Sequence, residues 1–175
     1  MNFLTLSPFD GESIRVVVEA PLGSSLKLEY DPQLEVFTIA RALPLGMVYP
    51  FDWGFVPGTR AEDNDPVDAM AIHPAASYPG VVLPCRLLGM VEIEQRDKDG
   101  KKETNNRLIA TPDWHEPLRE VKDARDLPEH VKRELEQFFV AVTAFTGKKI
   151  KVRGWAGRGK ARAFLRKRTI ASDSD

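Results

Sequence analysis

The sequence predicts an α+β fold that is mainly β, a small β-barrel with helical cover. Three observations carry this. The first hundred residues hold short strand-like stretches separated by turns, a single long helical pattern comes late, and no internal repeat or linker divides the 175 residues. A chain of this length buries enough apolar surface for an independent core, so residues 1–175 are expected to form one domain.

Ile14 to Glu19 is β-branched and ends at Ala20-Pro21-Leu22-Gly23, a turn by composition. Lys27 to Tyr30 alternates polar and apolar residues, Asp31-Pro32 breaks it, and Leu34 to Ile39 resumes a strand, which makes a hairpin or meander. From Leu43 to Asn64 the chain mixes Pro, Gly and aromatic residues without clear period and reads as a long ordered loop. Loops of that length inside a domain are usually functional. Val81 to Ile93 reads as one long strand interrupted near Pro84. The polar stretch Arg96 to Asn106 follows it, and then a further strand from Arg107 to Thr111. The helix spans Pro128 to Phe145, where Val131, Leu135, Phe138, Phe139, Val142 and Phe145 form one apolar stripe. Asp126 is its expected cap and Gly147 its stop. Ile150 to Val152 is a last short strand, Lys160 to Thr169 a basic helix, and Ala171 to Asp175 a frayed end.

The bulk chemistry narrows the function classes. Charges nearly cancel, 25 basic against 26 acidic, so the whole molecule has no strong field for polyanions. Their distribution is uneven: Gly147 to Arg168 carries ten Lys/Arg and no Asp or Glu. One cysteine, Cys85, rules out an internal disulfide and suits a reducing compartment. No apolar run reaches the roughly 20 residues of a membrane span, and Met1 to Ser7 is too short and uncharged for an export signal. The expected location is the cytoplasm, with no membrane partner.

The most informative segment is Asp63-Asn64-Asp65-Pro66-Val67-Asp68. Three carboxylates within six residues repel one another, which favours a countercharge, and hard oxygen ligands suit Mg²⁺ or Ca²⁺ rather than zinc. A solvated acidic turn is the bland alternative, because Asp, Asn and Pro are ordinary turn formers. An EF-hand loop fails: it wants Gly at the sixth position and Glu at the twelfth, where this chain has Asp68 and Pro74. Upstream stand Glu19, Lys27, Glu29, Arg41 and Tyr49. Cations interleaved with carboxylates are what phosphoryl transfer needs: metals and cations neutralise phosphate oxygens, and a carboxylate takes a proton from water.

In this arrangement the chain resembles the family I inorganic pyrophosphatases. Val17-Val18-Glu19-Ala20-Pro21, Lys27-Leu28-Glu29-Tyr30, Tyr49-Pro50-Phe51-Asp52-Trp53-Gly54-Phe55 and the Asp63–Asp68 string match in the family's order. The match continues through Pro79-Gly80, Cys85-Arg86-Leu87-Leu88-Gly89, the segment from Val121 to Pro128, and Phe138-Phe139. The resemblance implies an OB-like five-stranded β-barrel flanked by helices, Mg²⁺-dependent hydrolysis of pyrophosphate with two or more ions, and a homo-oligomer, a trimer or hexamer in bacterial members. It implies metal binding by Asp63, Asp68, Glu19 and the position of Asn105, and proton abstraction or water orientation by Asp65. Lys27, Arg41, Tyr49 and Arg107 would meet phosphate, with Glu29 in the polar network beside them.

Several family positions are altered. Two metal-binding Asp positions fall on Gln95 and Asn105, the phosphate-binding Lys on Arg107, a Tyr on Trp53, and a Tyr-Lys pair on Val142 and Thr143. Gln95 and Asn105 keep an oxygen but remove two negative charges, which weakens a metal site. Glu94, Asp97, Asp99 and Glu103 are available as substitutes. Three readings therefore stand open: pyrophosphate hydrolysis, hydrolysis of another phosphorylated substrate in a pocket made more apolar by Val142, and metal-dependent phosphate binding with little turnover.

Other features carry less. The basic C-terminal stretch on an OB-like barrel raises single-stranded nucleic-acid binding, but its only aromatics are Trp155 and Phe164, so a solvated or charge-compensating face is the expectation. Gly154 to Lys160 has phosphate-loop spacing, yet Ala161 stands where Ser or Thr is needed. His73, His115 and His130 have no metal-ligand spacing, and Cys85 reads as a core residue.

Overall fold

Residues 2–96 and 100–170 are described by the computed structural model. In chain order the strands are β1 (Phe9–Asp10), β2 (Ser13–Ala20), β3 (Leu26–Asp31), β4 (Val36–Ala42), β5 (Asp52–Val56), β6 (Val67–Ala71), β7 (Val82–Arg96), β8 (Lys102–Thr104), β9 (Arg107–Pro112) and β10 (Lys149–Gly157). The helices are α1 (Glu129–Ala141) and α2 (Arg158–Arg168). Strands β2, β5, β6, β9 and β7 lie side by side in that order, and β7 pairs back onto β2, closing a ring of five. Every pairing in the ring is antiparallel except β6 with β9. β1 and β10 extend it, β8 adds to β7, and β3–β4 stands apart as the expected hairpin.

The ring has two cores because its strands are buried on both faces. One set of alternating residues, among them Val16, Val18, Ala69, Leu87 and Ala110, packs with Ala161 and Leu165 of α2. The intervening set, including Trp53, Met70, Val91 and Ile109, packs under Leu135, Phe138 and Phe139 of α1. Period-two alternation separates these sets. With both faces covered, the strands read as continuous apolar runs instead of a polar–apolar pattern.

That explains the main correction to the sequence reading. The expected loop from Leu43 to Asn64 contains β5, one of the central strands, and β6 follows it directly. Trp53, Phe55 and Val56 are all buried, and Asp52 is buried too, so no amphipathic pattern betrays the strand. Gly54 hides it further. A Cβ there would stand 1.8 Å from the Val17 carbonyl oxygen of β2, so only glycine lets the two strands meet. The long strand runs on through Pro84, which pairs with Arg15, and the last strand grows to nine residues. The expected frayed end, Ala171 to Asp175, lies outside the described residues.

Helix α1 is shorter at both ends than its stripe suggests. Asp126 does not cap it; Asp126 closes a short 3₁₀ turn, and Pro128 precedes α1 without a side-chain cap. At the far end the Thr143 hydroxyl donates to the Val140 carbonyl, and the Thr146 hydroxyl to that of Thr143. These local bonds compete with the helix and end it before Gly147. Phe145 is thereby left 87% exposed. Among the described residues no helix is long and apolar enough to cross a membrane.

Asp123 ties this region to α2. Its carboxylate accepts from the Arg125 side chain at 2.8 and 3.0 Å, from the Arg125 backbone N–H at 2.9 Å, and from Arg158 N at the start of α2, 3.2 Å away. The Arg125 guanidinium, with those backbone donors, holds this carboxyl down from 3.8 to about 2. The stability it contributes is present above about 3.8 and is lost as pH falls through about 2. Asp123→Asn is expected to cost about 1–2 kcal/mol at pH 7. In thermal melts its deficit against wild type should shrink between pH 4 and 2; a deficit independent of pH would remove the charge from this account.

Candidate functional site

The acidic string folds as a turn that leads into a strand. Asn64 takes φ 70°, a left-handed conformation that Asn tolerates. Ala61 N donates to the Asp65 carbonyl at 2.7 Å, and Asp65 N donates to Asp63 Oδ1 at 3.3 Å. Pro66 ends the turn, and Asp68 is the second residue of β6, opposite Phe55. Asp63, Asp65 and Asp68 thus line a cavity of about 370 Å³.

Cations line the same cavity. Lys27 and Arg41 are cross-strand partners on the β3–β4 hairpin, and both reach the cavity. Arg41 Nη2 donates to the Val142 carbonyl at 2.8 Å, tying the hairpin to the end of α1, while Lys27 Nζ donates to Glu29. Arg107 enters from the start of β9, and Tyr49, Trp53 and Phe138 line the cavity with it. An adjoining hollow of about 280 Å³ shares Lys27, Trp53, Asp65 and Asp68 with the first and adds Glu19 and Glu29. Glu19 Oε1 accepts from Tyr30 N at 3.0 Å, which anchors it at the end of β2.

All ten residues singled out from the sequence therefore border these two joined hollows: Asp65, Asp63, Asp68, Glu19, Asn105, Lys27, Glu29, Arg41, Tyr49 and Arg107. Asn105 differs from a simple oxygen ligand in its contacts. Its Nδ2 donates to Asp63 Oδ2 and to Gln95 Oε1, each at 3.3 Å, so it steadies Asp63 through a short amide chain.

The carboxylates carry the mark of burial first and of one another second. Burial lifts the Glu19 carboxyl to about 8, with the Tyr30 N–H opposing and Asp68 adding. Burial also lifts Asp68 to about 6, opposed by Arg107 and Lys27 and reinforced by Asp63 and Asp65. Asp65 is raised by burial first and by Asp63 and Glu29 next, while Lys27 and Lys148 pull it down. Burial keeps the Tyr49 hydroxyl protonated, hence a donor. Acidic oxygens held together at this cost fit a hard divalent cation, which would relieve the repulsion. Among the described residues no group of three or more His, Cys, Asp or Glu side chains stands ready to hold a metal ion. Magnesium does not need one, since it is usually held by one or two carboxylates with water and phosphate completing its shell.

The sequence reading missed Lys148. It borders the main cavity, just past the position where Thr143 replaces a cation. Gly147 before it takes φ 75°, a turn that sets Lys148 apart from the rest of the basic run. The proposed substitutes fare differently. Glu94 pairs with Arg153 and borders another hollow together with Glu103. Adjacent strand residues point to opposite faces, so Gln95 meets the cavity and Glu94 cannot. Asp97 and Asp99 lie outside the described residues. Cations of the C-terminal stretch are engaged elsewhere: Arg153 with Glu94, Lys160 with Glu92, Arg162 with Glu12, and Arg168 with Glu62.

Comparison with known proteins agrees with this geometry. A family model described as inorganic pyrophosphatase matches residues 16–171. An inorganic pyrophosphatase of Thermus thermophilus is 38% identical over 153 residues, covering 86% of this chain and 85% of its own length. One of Saccharolobus solfataricus is 33% identical over 159 residues, covering 89% and 90%. The crystal structure of the inorganic pyrophosphatase from Thermus thermophilus superposes with a TM-score of 0.86 at 35% identity, over 95% of each chain.

Proposed function

The chain belongs to the inorganic pyrophosphatase family, and we propose that it hydrolyses inorganic pyrophosphate with magnesium held by its acidic residues. The observation that carries this reading is a single cavity lined by Asp63, Asp65 and Asp68 together with Lys27, Arg41, Arg107 and Lys148. Asp63, Asp68 and Glu19 are the residues to hold two or more Mg²⁺ ions, with Asn105 steadying Asp63. Bound magnesium would neutralise phosphate oxygens and make water a better nucleophile.

The chain's own residues supply the rest. Lys27, Arg41, Arg107 and Lys148 take the negative oxygens of the two phosphoryl groups, and the Tyr49 hydroxyl donates to one of them. Asp65 orients the attacking water and takes its proton as oxygen bonds to one phosphorus. The bond from that phosphorus to the bridging oxygen breaks, and the second phosphate leaves as the cations stabilise its charge. Gln95 and Asn105 leave the site two charges short, so metal affinity is lower than in a fully carboxylate site. The same reading places the protein in the cytoplasm as a homo-oligomer, a trimer or hexamer, in which residues 1–175 act as one catalytic unit.

Phosphate release from pyrophosphate by the purified protein, beside a panel of phosphoesters and nucleotides, tests this. Release is expected from pyrophosphate, lost with chelator and restored by Mg²⁺. Silence on pyrophosphate with release from another phosphoester would overturn the substrate assignment.

A further inference from the structure

Arg107 is held in an unusual way. Its guanidinium carbon lies 5.0 Å from the centroid of the Trp53 ring and 4.9 Å from that of Phe139. Those rings are 6.1 Å apart and inclined at 57°, so the guanidinium occupies the corner between them. Each wall of the corner is itself supported, Trp53 by Tyr49 at 6.1 Å and Phe139 by Phe138 at 5.9 Å.

The Nε of Arg107 is unsatisfied by contrast. Only 6% of the residue is exposed, Nε is buried without a partner, and among the described residues its side chain makes no hydrogen bond. A buried guanidinium normally engages a carboxylate fork or backbone carbonyls, because stranding its donors is costly. Here ring faces in contact, with Asp68 and Asp63 acting from farther off, supply the attraction. A cation held by its face keeps its N–H edge free, and Arg107 borders the cavity that Asp63, Asp65 and Asp68 also line. A lysine ammonium has no flat face to rest in such a corner and would be positioned far less strictly.

We propose that Trp53 and Phe139 are positioning residues that hold Arg107 as a preset fork of donors for one phosphoryl group. The ligand class is an oxyanion with two adjacent terminal oxygens, and the role rests on the pyrophosphate reading. Preorganisation is the gain: the fork loses little rotamer freedom when the anion arrives. The fork meets charge present in bound substrate as well as in the transition state, so losing its orientation raises KM more than it lowers kcat.

A double-mutant cycle in the magnesium-loaded protein tests this. Trp53→Leu and Phe139→Leu are each made alone and with Arg107→Lys, and two quantities are read: KM for pyrophosphate, and the calorimetric Kd of inorganic phosphate. Each ring removal is expected to raise both about tenfold when Arg107 is present, but about twofold or less in the Arg107→Lys background. Trp53→Phe, which keeps a ring face, should stay near wild type. Equal losses in both backgrounds would mean that the rings only pack, and would overturn the proposal. Since both rings are core residues, wild-type protein offers a second measurement by NMR. The Arg107 Nε–H signal, identified by its loss in Arg107→Lys, should be ring-shifted and slow to exchange. A signal at the free-arginine position with fast exchange would equally overturn it. Lack of turnover in the wild type would defeat the functional reading alone, because the phosphate and NMR arms still judge the clamp.

Discussion

Asp65→Asn is expected to lower turnover of pyrophosphate by about 10²- to 10⁴-fold while leaving the fold intact. The turn around residue 65 is held by its backbone: its carbonyl accepts from Ala61 N, and its N–H donates to Asp63. An amide of the same shape can keep those bonds and still line both hollows, as Asp65 does. What it loses is the capacity to take a proton from water. Initial rates of phosphate release, set beside a circular dichroism melt, separate the two effects. Unchanged turnover would reject Asp65 as the base, and a collapsed melt would reject the claim that the turn stands on its backbone.

Asp68→Asn is expected to cost about 10²- to 10³-fold in turnover and to stabilise the metal-free protein. Asp68, like Asp65, borders both hollows, so it can serve an ion in each. Without metal it is a liability. Its folded value, about 6, lies above the ordinary 3.8 because burial disfavours its charge. The stability associated with it is present below about 3.8 and lost as pH rises through about 6. A neutral amide escapes that loss. In chelator at pH 8 the variant should therefore melt above wild type, and at pH 4 the difference should be small. This is the usual conflict between function and stability at an active site. A variant that is less stable at pH 8 in chelator would show that Asp68 is held by contacts stronger than its desolvation.

The candidate site was unusually legible because its residues cluster in short, chemically distinctive strings. Three carboxylates in six residues, and Lys27 and Arg41 on a recognisable hairpin, point to phosphate and metal before any folding is considered. Less legible were residues whose role depends on the partner across space. Lys148 sits among ten cations between Gly147 and Arg168, and only the early end of α1 brings it to the cavity. Glu94 and Gln95 are neighbours in sequence, yet only the register of β7 decides which of them meets the site. Strand β5 escaped because Trp53 and Phe55 alternate around Gly54 within a stretch buried on both faces.

By itself, then, the sequence determined the fold class, the late amphipathic helix, the β3–β4 hairpin and the chemistry of the acidic string. These depend on local pattern: side-chain period, turn residues and charges close together in the chain. Only the tertiary structure decided that β7 closes back on β2, that Arg41 ties the β3–β4 hairpin to the end of α1, and that Arg107 rests in the corner of Trp53 and Phe139. Each of those is a meeting of segments far apart in sequence. Its energy comes from excluded water, ring faces and backbone bonds between elements, and none of these leaves a periodic trace along the chain.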